Sequence, residues 1–100
     1  MIDATPGEIE TIRDILGRFV PGAQIRVFGS RVNGRAKPWS DLDLAVVGTG
    51  RLDDDVMRLL REAFEESDLP YRVDVVDWHA ISESFRAVID RGYQALTDSP

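Results

Sequence analysis

The run Asp41-Leu42-Asp43-Leu44, continued by Ala45-Val46-Val47, narrows the possible folds more than any other segment of this chain. It alternates acid and aliphatic and then becomes wholly apolar, the pattern of a strand whose side chains point to opposite faces in turn. Leu42 and Leu44 then enter a core, and both carboxylates project from the other face. Two like charges on one strand face repel each other, and aspartate is a poor strand former, so the pair adds nothing to folding. A second strand repeats the oddity: Val73-Asp74-Val75-Val76 sets a lone acid among β-branched residues.

The flanking segments supply the layers that cover such strands. Thr5, Pro6 and Glu8 form a capping box that opens a helix, whose inner stripe is Ile9, Ile12, Leu16 and Phe19. Pro21-Gly22 stops it, and Gln24 to Phe28 alternates as a strand with Ile25 and Val27 on one face. Arg31 to Ser40 reads as a short turn or helix and a loop, broken by Gly34 and Pro38. After the strand from Asp41 to Val47, Asp53 or a neighbour caps a second long helix with an inner stripe of Val56, Leu59, Leu60, Ala63 and Phe64. A third strand runs from Tyr71 to Asp77, and a last helix starts near Ser82 with Phe85, Val88 and Ile89 inward. One domain over residues 1–100 is expected, of α/β or α+β class, with a small sheet covered by helices. Phe85, Ile89, Tyr93 and Leu96 continue at helical spacing, which predicts a surplus apolar stripe for a partner to cover.

Charge and composition exclude several kinds of function. The net charge of −6 argues against general nucleic-acid binding, yet it conceals a gradient. Between Ile15 and Ser40 there is no acid, while Arg18, Arg26, Arg31, Arg35 and Lys37 all fall there. A basic stretch thus runs directly into the acidic pair, an order that suits an anion and a cation bound side by side. With no cysteine there is no disulfide, thiolate site or cysteine nucleophile. No membrane-spanning run or signal peptide is apparent, and the cytoplasm is the expected compartment.

Asp41, Asp43 and Asp74, if their strands are neighbours, offer hard oxygen ligands with no histidine or cysteine nearby, which selects magnesium or manganese over zinc. Gly29-Ser30 closes the first strand, where a backbone amide and a hydroxyl can meet a phosphate, and Arg31, Arg35 and Lys37 can neutralise a triphosphate. Metal-bridged phosphates beside carboxylates make up the apparatus of two-metal phosphoryl or nucleotidyl transfer. Other candidates are weaker. Gly48-Thr49-Gly50 lacks the third glycine of a dinucleotide fingerprint, since residue 53 is Asp53. Asp53-Asp54-Asp55 suits a helix start. The sole histidine, His79, sits near another helix start, and Trp39 and Trp78 flank the acidic strands, where packing is the default and base stacking the alternative.

Phe28-Gly29-Ser30, ten residues and then Asp41-Leu42-Asp43-Leu44 resembles the polymerase-β-type nucleotidyltransferase superfamily. Within it the chain is most similar to the minimal nucleotidyltransferases (MNT), which pair with HEPN proteins. The resemblance implies a mixed sheet flanked by helices and transfer of a nucleoside monophosphate to a hydroxyl. It places the metals on Asp41, Asp43 and Asp74 and the phosphates on Gly29 and Ser30; Arg31, Arg35, Lys37 and Ser40 are the further nucleotide-binding candidates. Two magnesium ions and ATP as donor are implied, with Asp77, on the opposite strand face from Asp74, left out of the site. With the helices committed to the sheet, the acceptor site is expected on a separate chain. By resemblance that chain is a helical HEPN toxin adenylylated on a tyrosine. A helical substrate-binding subunit for a small molecule, or a toxin blocked without catalysis, are the alternatives.

Overall fold

The computed structural model describes residues 1–96. Pro6–Phe19 form α1, opened by the expected reciprocal cap in which Thr5 and Glu8 each accept the other's backbone N–H. Then come β1 (Gln24–Phe28), the single turn α2 (Ser30–Asn33), β2 (Leu42–Val47), α3 (Asp54–Glu65) and β3 (Val73–Asp77). A 3-10 turn (Trp78–Ala80), α4 (Glu83–Asp90) and β4 (Gln94–Ala95) complete the order. The strands lie in the order β3-β2-β1-β4, with β2 and β3 parallel and the other two pairs antiparallel. The sheet is therefore mixed, as expected. No helix among the described residues is long and apolar enough to cross a membrane.

Alternation sorts the sheet into two faces. Ile25 and Val27 of β1, Leu42, Leu44 and Val46 of β2, and Val73 and Val75 of β3 are buried in one core with Ile12, Ile15 and Leu16 of α1 and Met57, Leu60 and Phe64 of α3. The opposite face carries Arg26, Phe28, Asp43, Ala45, Asp74 and Val76. Over part of it α4 lays Ile89, 1% exposed, and Phe85, whose ring meets Phe28 edge-on at 5.8 Å. The acids occupy the row of this face nearest the β1–α2 turn.

Several expectations are corrected. Leu59 and Val88 are exposed, because α3 turns the line Met57–Leu60–Phe64 inward and α4 centres on Ile89. Each misplaced residue precedes a buried one and so stands about 100° round the helix from it. The stripe ending in Tyr93 and Leu96 is not helical, because α4 stops at Asp90 and the chain returns as β4 along β1. Leu96 is buried, its N–H bonded to the Ile25 carbonyl at 2.9 Å, and Tyr93 lies against the Arg26 guanidinium, 4.9 Å from the ring centre. No continuous apolar stripe remains there for a partner. The acidic strand begins at Leu42 and the third at Val73, so Asp41 and Tyr71 fall just outside them.

Candidate active site

Register brings the acids together. Phe28 pairs with Asp43 across β1–β2, and Asp43 with Asp74 across β2–β3, so a single row crosses the sheet on its open face. Asp41 sits one residue ahead of β2, exposed, and still close enough to act on Asp43. Burial first, then the negative charges of Asp74 and Asp41, push the Asp43 carboxyl up to about 6, against a smaller downward pull from Arg72. Among the described residues no three acid or histidine side chains are gathered tightly enough to enclose an ion as they stand. The donor set nonetheless fits a hard divalent cation. It is all oxygen, and a carboxylate whose negative charge is disfavoured by burial and by like-charged neighbours is one that a double positive charge stabilises.

Gly29 joins this row to the turn. Its φ of 81° and ψ of −156° lie in a region that only glycine occupies readily. A β-carbon there would overlap Asp43 Oδ2, so the carboxylate rests directly on the turn's backbone. Ser30 begins α2 immediately afterwards and is partly buried. Gly34, at φ 83°, ends that single turn in the left-handed conformation. The turn and the Asp43 carboxylate are thus in contact, although fourteen positions separate Gly29 from Asp43 along the chain.

The basic residues part company. Arg35 and Lys37 are exposed on the segment between α2 and β2. Arg31 is not, being only 5% exposed. Its Nε donates to the Ser40 carbonyl at 2.9 Å and Nη1 to that of Asp3 at 2.9 Å, while Nη2 donates to Lys37 at 3.3 Å and Pro38 at 3.0 Å. Its guanidinium also stacks 3.8 Å from the centre of the Tyr71 ring. The expectation that Arg31 meets a triphosphate is corrected: its donors are already engaged, and it braces the loop leading to Asp41. Ser40 likewise turns inward to its own loop, its hydroxyl accepting the Lys37 N–H at 2.9 Å.

The remaining candidates have structural duties. Asp77 is buried, with Oδ2 accepting from Leu52 N at 2.8 Å and Oδ1 from His79 N at 3.0 Å. His79 Nε2 lies 2.8 Å from the Gly48 carbonyl, which only accepts, so that nitrogen carries the proton. Asp53 caps α3. Trp78 packs against Arg26 at 4.6 Å, whereas Trp39 is 72% exposed. Sequence reasoning missed Tyr71, whose hydroxyl donates to Glu8 Oε1 at 3.1 Å and whose pKa is raised by burial and by that carboxylate. An apolar–polar boundary just ahead of β3 is its only trace in the sequence.

Residues 9–95 match the family model described as a nucleotidyltransferase domain. The chain is 43% identical, over 97% of its length and 85% of the relative's, to a probable protein adenylyltransferase, MntA, of Haemophilus influenzae. Among solved structures it is similar to a toxin–antitoxin with AMP-PNP, at TM-score 0.76 and 26% identity over 91% of this chain and 73% of that one. A mutant MntA-HpeT toxin–antitoxin gives TM-score 0.69 and 25% identity over 90% and 71%.

Proposed function

The chain belongs to the nucleotidyltransferase-domain family, and from that premise we propose that it transfers AMP from ATP to a hydroxyl of a partner protein, a tyrosine of a helical HEPN-type toxin, and so acts as an antitoxin. The observation that carries the chemistry is the seating of the Asp43 carboxylate on the Gly29 backbone, with Asp74 beside it in the same row. The acceptor follows from likeness: the H. influenzae relative is named a probable protein adenylyltransferase, and the solved neighbours are toxin–antitoxins, one with AMP-PNP. Cytoplasmic ATP and magnesium fit this reading.

Asp41, Asp43 and Asp74 are the residues that would hold two magnesium ions, with manganese as a substitute, supplying Lewis acidity to the acceptor oxygen and neutralising charge on the triphosphate. The chain's own groups do the rest. The Gly29 turn and the Ser30 hydroxyl grip the β- and γ-phosphates, and Arg35 and Lys37 draw the anion in. Asp74, on the outer strand β3, is open to an arriving acceptor and takes its hydroxyl proton. The acceptor oxygen bonds to the α-phosphorus as the bond to the bridging oxygen breaks, and pyrophosphate leaves. Incubation with ATP, magnesium and a HEPN-type toxin from the same genome tests the whole reading by intact mass. One or more AMP additions on the toxin are expected. Neutralisation without an adduct, unchanged in Asp43→Asn, would establish a blocking antitoxin instead; AMP on a small metabolite would establish a two-chain metabolic enzyme.

Two further expectations locate the roles. Asp74→Asn lowers the transfer rate about 100-fold or more while ATP still binds, because Asp41 and Asp43 remain to hold the triphosphate ion. Asp77→Asn leaves the rate within a few-fold but weakens the fold by about 1 kcal/mol, since a charged acceptor of two buried N–H groups is replaced by a neutral one. Single-turnover rates beside urea melts separate the two, and a reversed order would exclude Asp74 from the site. Ser30→Ala weakens ATP binding by about 1 kcal/mol or somewhat more, the loss of a hydrogen bond to a charged group. Gly29→Ala is worse, as the added carbon both strains the turn and displaces Asp43. Calorimetric titration with ATP and with adenosine checks this, and equal affinities for the two in the unmodified chain would deny the turn its phosphate.

A further inference from the structure

Trp39 leaves 72% of its surface in solvent two residues ahead of Asp41. An indole on a loose loop would fold back onto apolar surface, because few side chains gain more from burial. Here the backbone holds it out. The Arg31 guanidinium binds the carbonyl of Pro38 on one side of Trp39, at 3.0 Å, and that of Ser40 on the other, at 2.9 Å. The turn is closed again by Ser40 N–H to the Lys37 carbonyl at 3.0 Å and by Lys37 N–H to the Ser40 hydroxyl at 2.9 Å. Trp39 therefore protrudes from a braced support with little backbone freedom left to lose on binding, the condition under which a tryptophan becomes an interface anchor.

Shape decides the class of occupant. Trp39 protrudes and lines none of the four cavities of about 390 to 480 Å³. A protruding indole needs its concavity from the other molecule. Charge decides the rim: Arg35 and Lys37 are exposed on the same loop, and no acid lies from Ile15 to Ser40 in a chain of net charge −6. Distance decides when the contact forms. Trp39 and Asp41 are at most about 7 Å apart along the backbone, so a macromolecule that delivers a hydroxyl to the acidic row covers this turn as well. We propose that Trp39 is the anchor by which the chain docks its acceptor protein, entering an apolar socket rimmed by aspartate or glutamate on that partner. The inference rests on the protein-acceptor reading above.

The test uses the full chain, a HEPN-type toxin from the same genome, and ATP with magnesium. Trp39→Ala is expected to weaken the complex about 30-fold or more, the loss typical of an interface hot spot. Its melting temperature and ATP affinity stay at the unmodified values, and AMP transfer at low toxin concentration falls in step with binding. In Trp78→Phe, where Trp39 is the sole indole, acrylamide quenches the free chain strongly and the complex weakly. If the unmodified chain adenylylates the toxin and Trp39→Ala does so with equal affinity, the anchor is wrong and the function stands. A loss of ATP affinity as large as the loss of toxin affinity makes Trp39 a base contact and overturns the proposal. If the unmodified chain neither binds nor modifies the toxin, the protein-acceptor reading fails and the anchor fails with it.

Discussion

Asp43→Asn removes nucleotidyl transfer, by about 10³-fold or more, because the lost carboxylate is worth the several kcal/mol of charge stabilisation that an ion supplies to the reaction. The same substitution stabilises the metal-free protein. The Asp43 carboxyl is pushed up to about 6 in the folded chain, from 3.8, chiefly by burial and by Asp74. Below about pH 4 it is protonated in both folded and unfolded states and contributes nothing to the balance. Between the two values the folded state holds a proton that the unfolded state has released, so stability falls as pH rises. Above about pH 6 the full penalty applies, of order 1 kcal/mol after allowance for solvent at a half-buried group. Asparagine removes it. In chelator at about pH 7.5 the variant should melt roughly 4 °C or more above the unmodified chain, and at about pH 4 the two should coincide. Magnesium should raise the melting temperature of the unmodified chain and leave that of the variant nearly unmoved. Retained transfer in Asp43→Asn at saturating magnesium would remove this carboxylate from the chemistry, and a variant less stable at neutral pH would mean that the row carries no electrostatic strain.

The acidic row was legible because its parts obey a strict period. Alternation alone sends Leu42 and Leu44 into the core and leaves Asp43 with Asp74 outside, and the pairing of β2 with β3 sets those two side by side. The Thr5–Glu8 cap was legible for a similar reason, as it depends on neighbours in sequence. What escaped depends on contacts between distant segments. Five cations lie from Arg18 to Lys37, and nothing local marks Arg31 as the one to be buried. That choice is made by carbonyls of Asp3, Lys37, Pro38 and Ser40 converging on one guanidinium, with Tyr71 beneath it. β4 escaped because two residues have no period; its place comes from the open edge of β1. Leu59 and Val88 escaped because a helical stripe read from spacing is wider than the strip of helix that touches the sheet.

Arg31 therefore carries the largest expected effect on stability. Arg31→Ala should lower the unfolding free energy by about 3 kcal/mol or more, since it strips a charged donor from several carbonyls and opens a space over the Tyr71 ring. In a domain whose whole margin is about 5 to 15 kcal/mol, that is a major fraction. Arg31→Lys should recover little, because one ammonium cannot reach carbonyls on both sides of the loop and stack on an aromatic face as a planar fork does. Arg35→Ala, by contrast, changes stability by no more than about 0.5 kcal/mol, as befits an exposed side chain. Urea denaturation of the three variants distinguishes a brace from a phosphate ligand. A ligand would leave the melt unchanged, weaken ATP binding in a manner that fades with added salt, and be largely rescued by lysine. A brace lowers the melt at every ionic strength and takes function with it, since the segment released is the one that leads through Ser40 to Asp41. If Arg31→Lys folds as stably as the unmodified chain and loses only ATP affinity, the guanidinium belongs to the nucleotide after all.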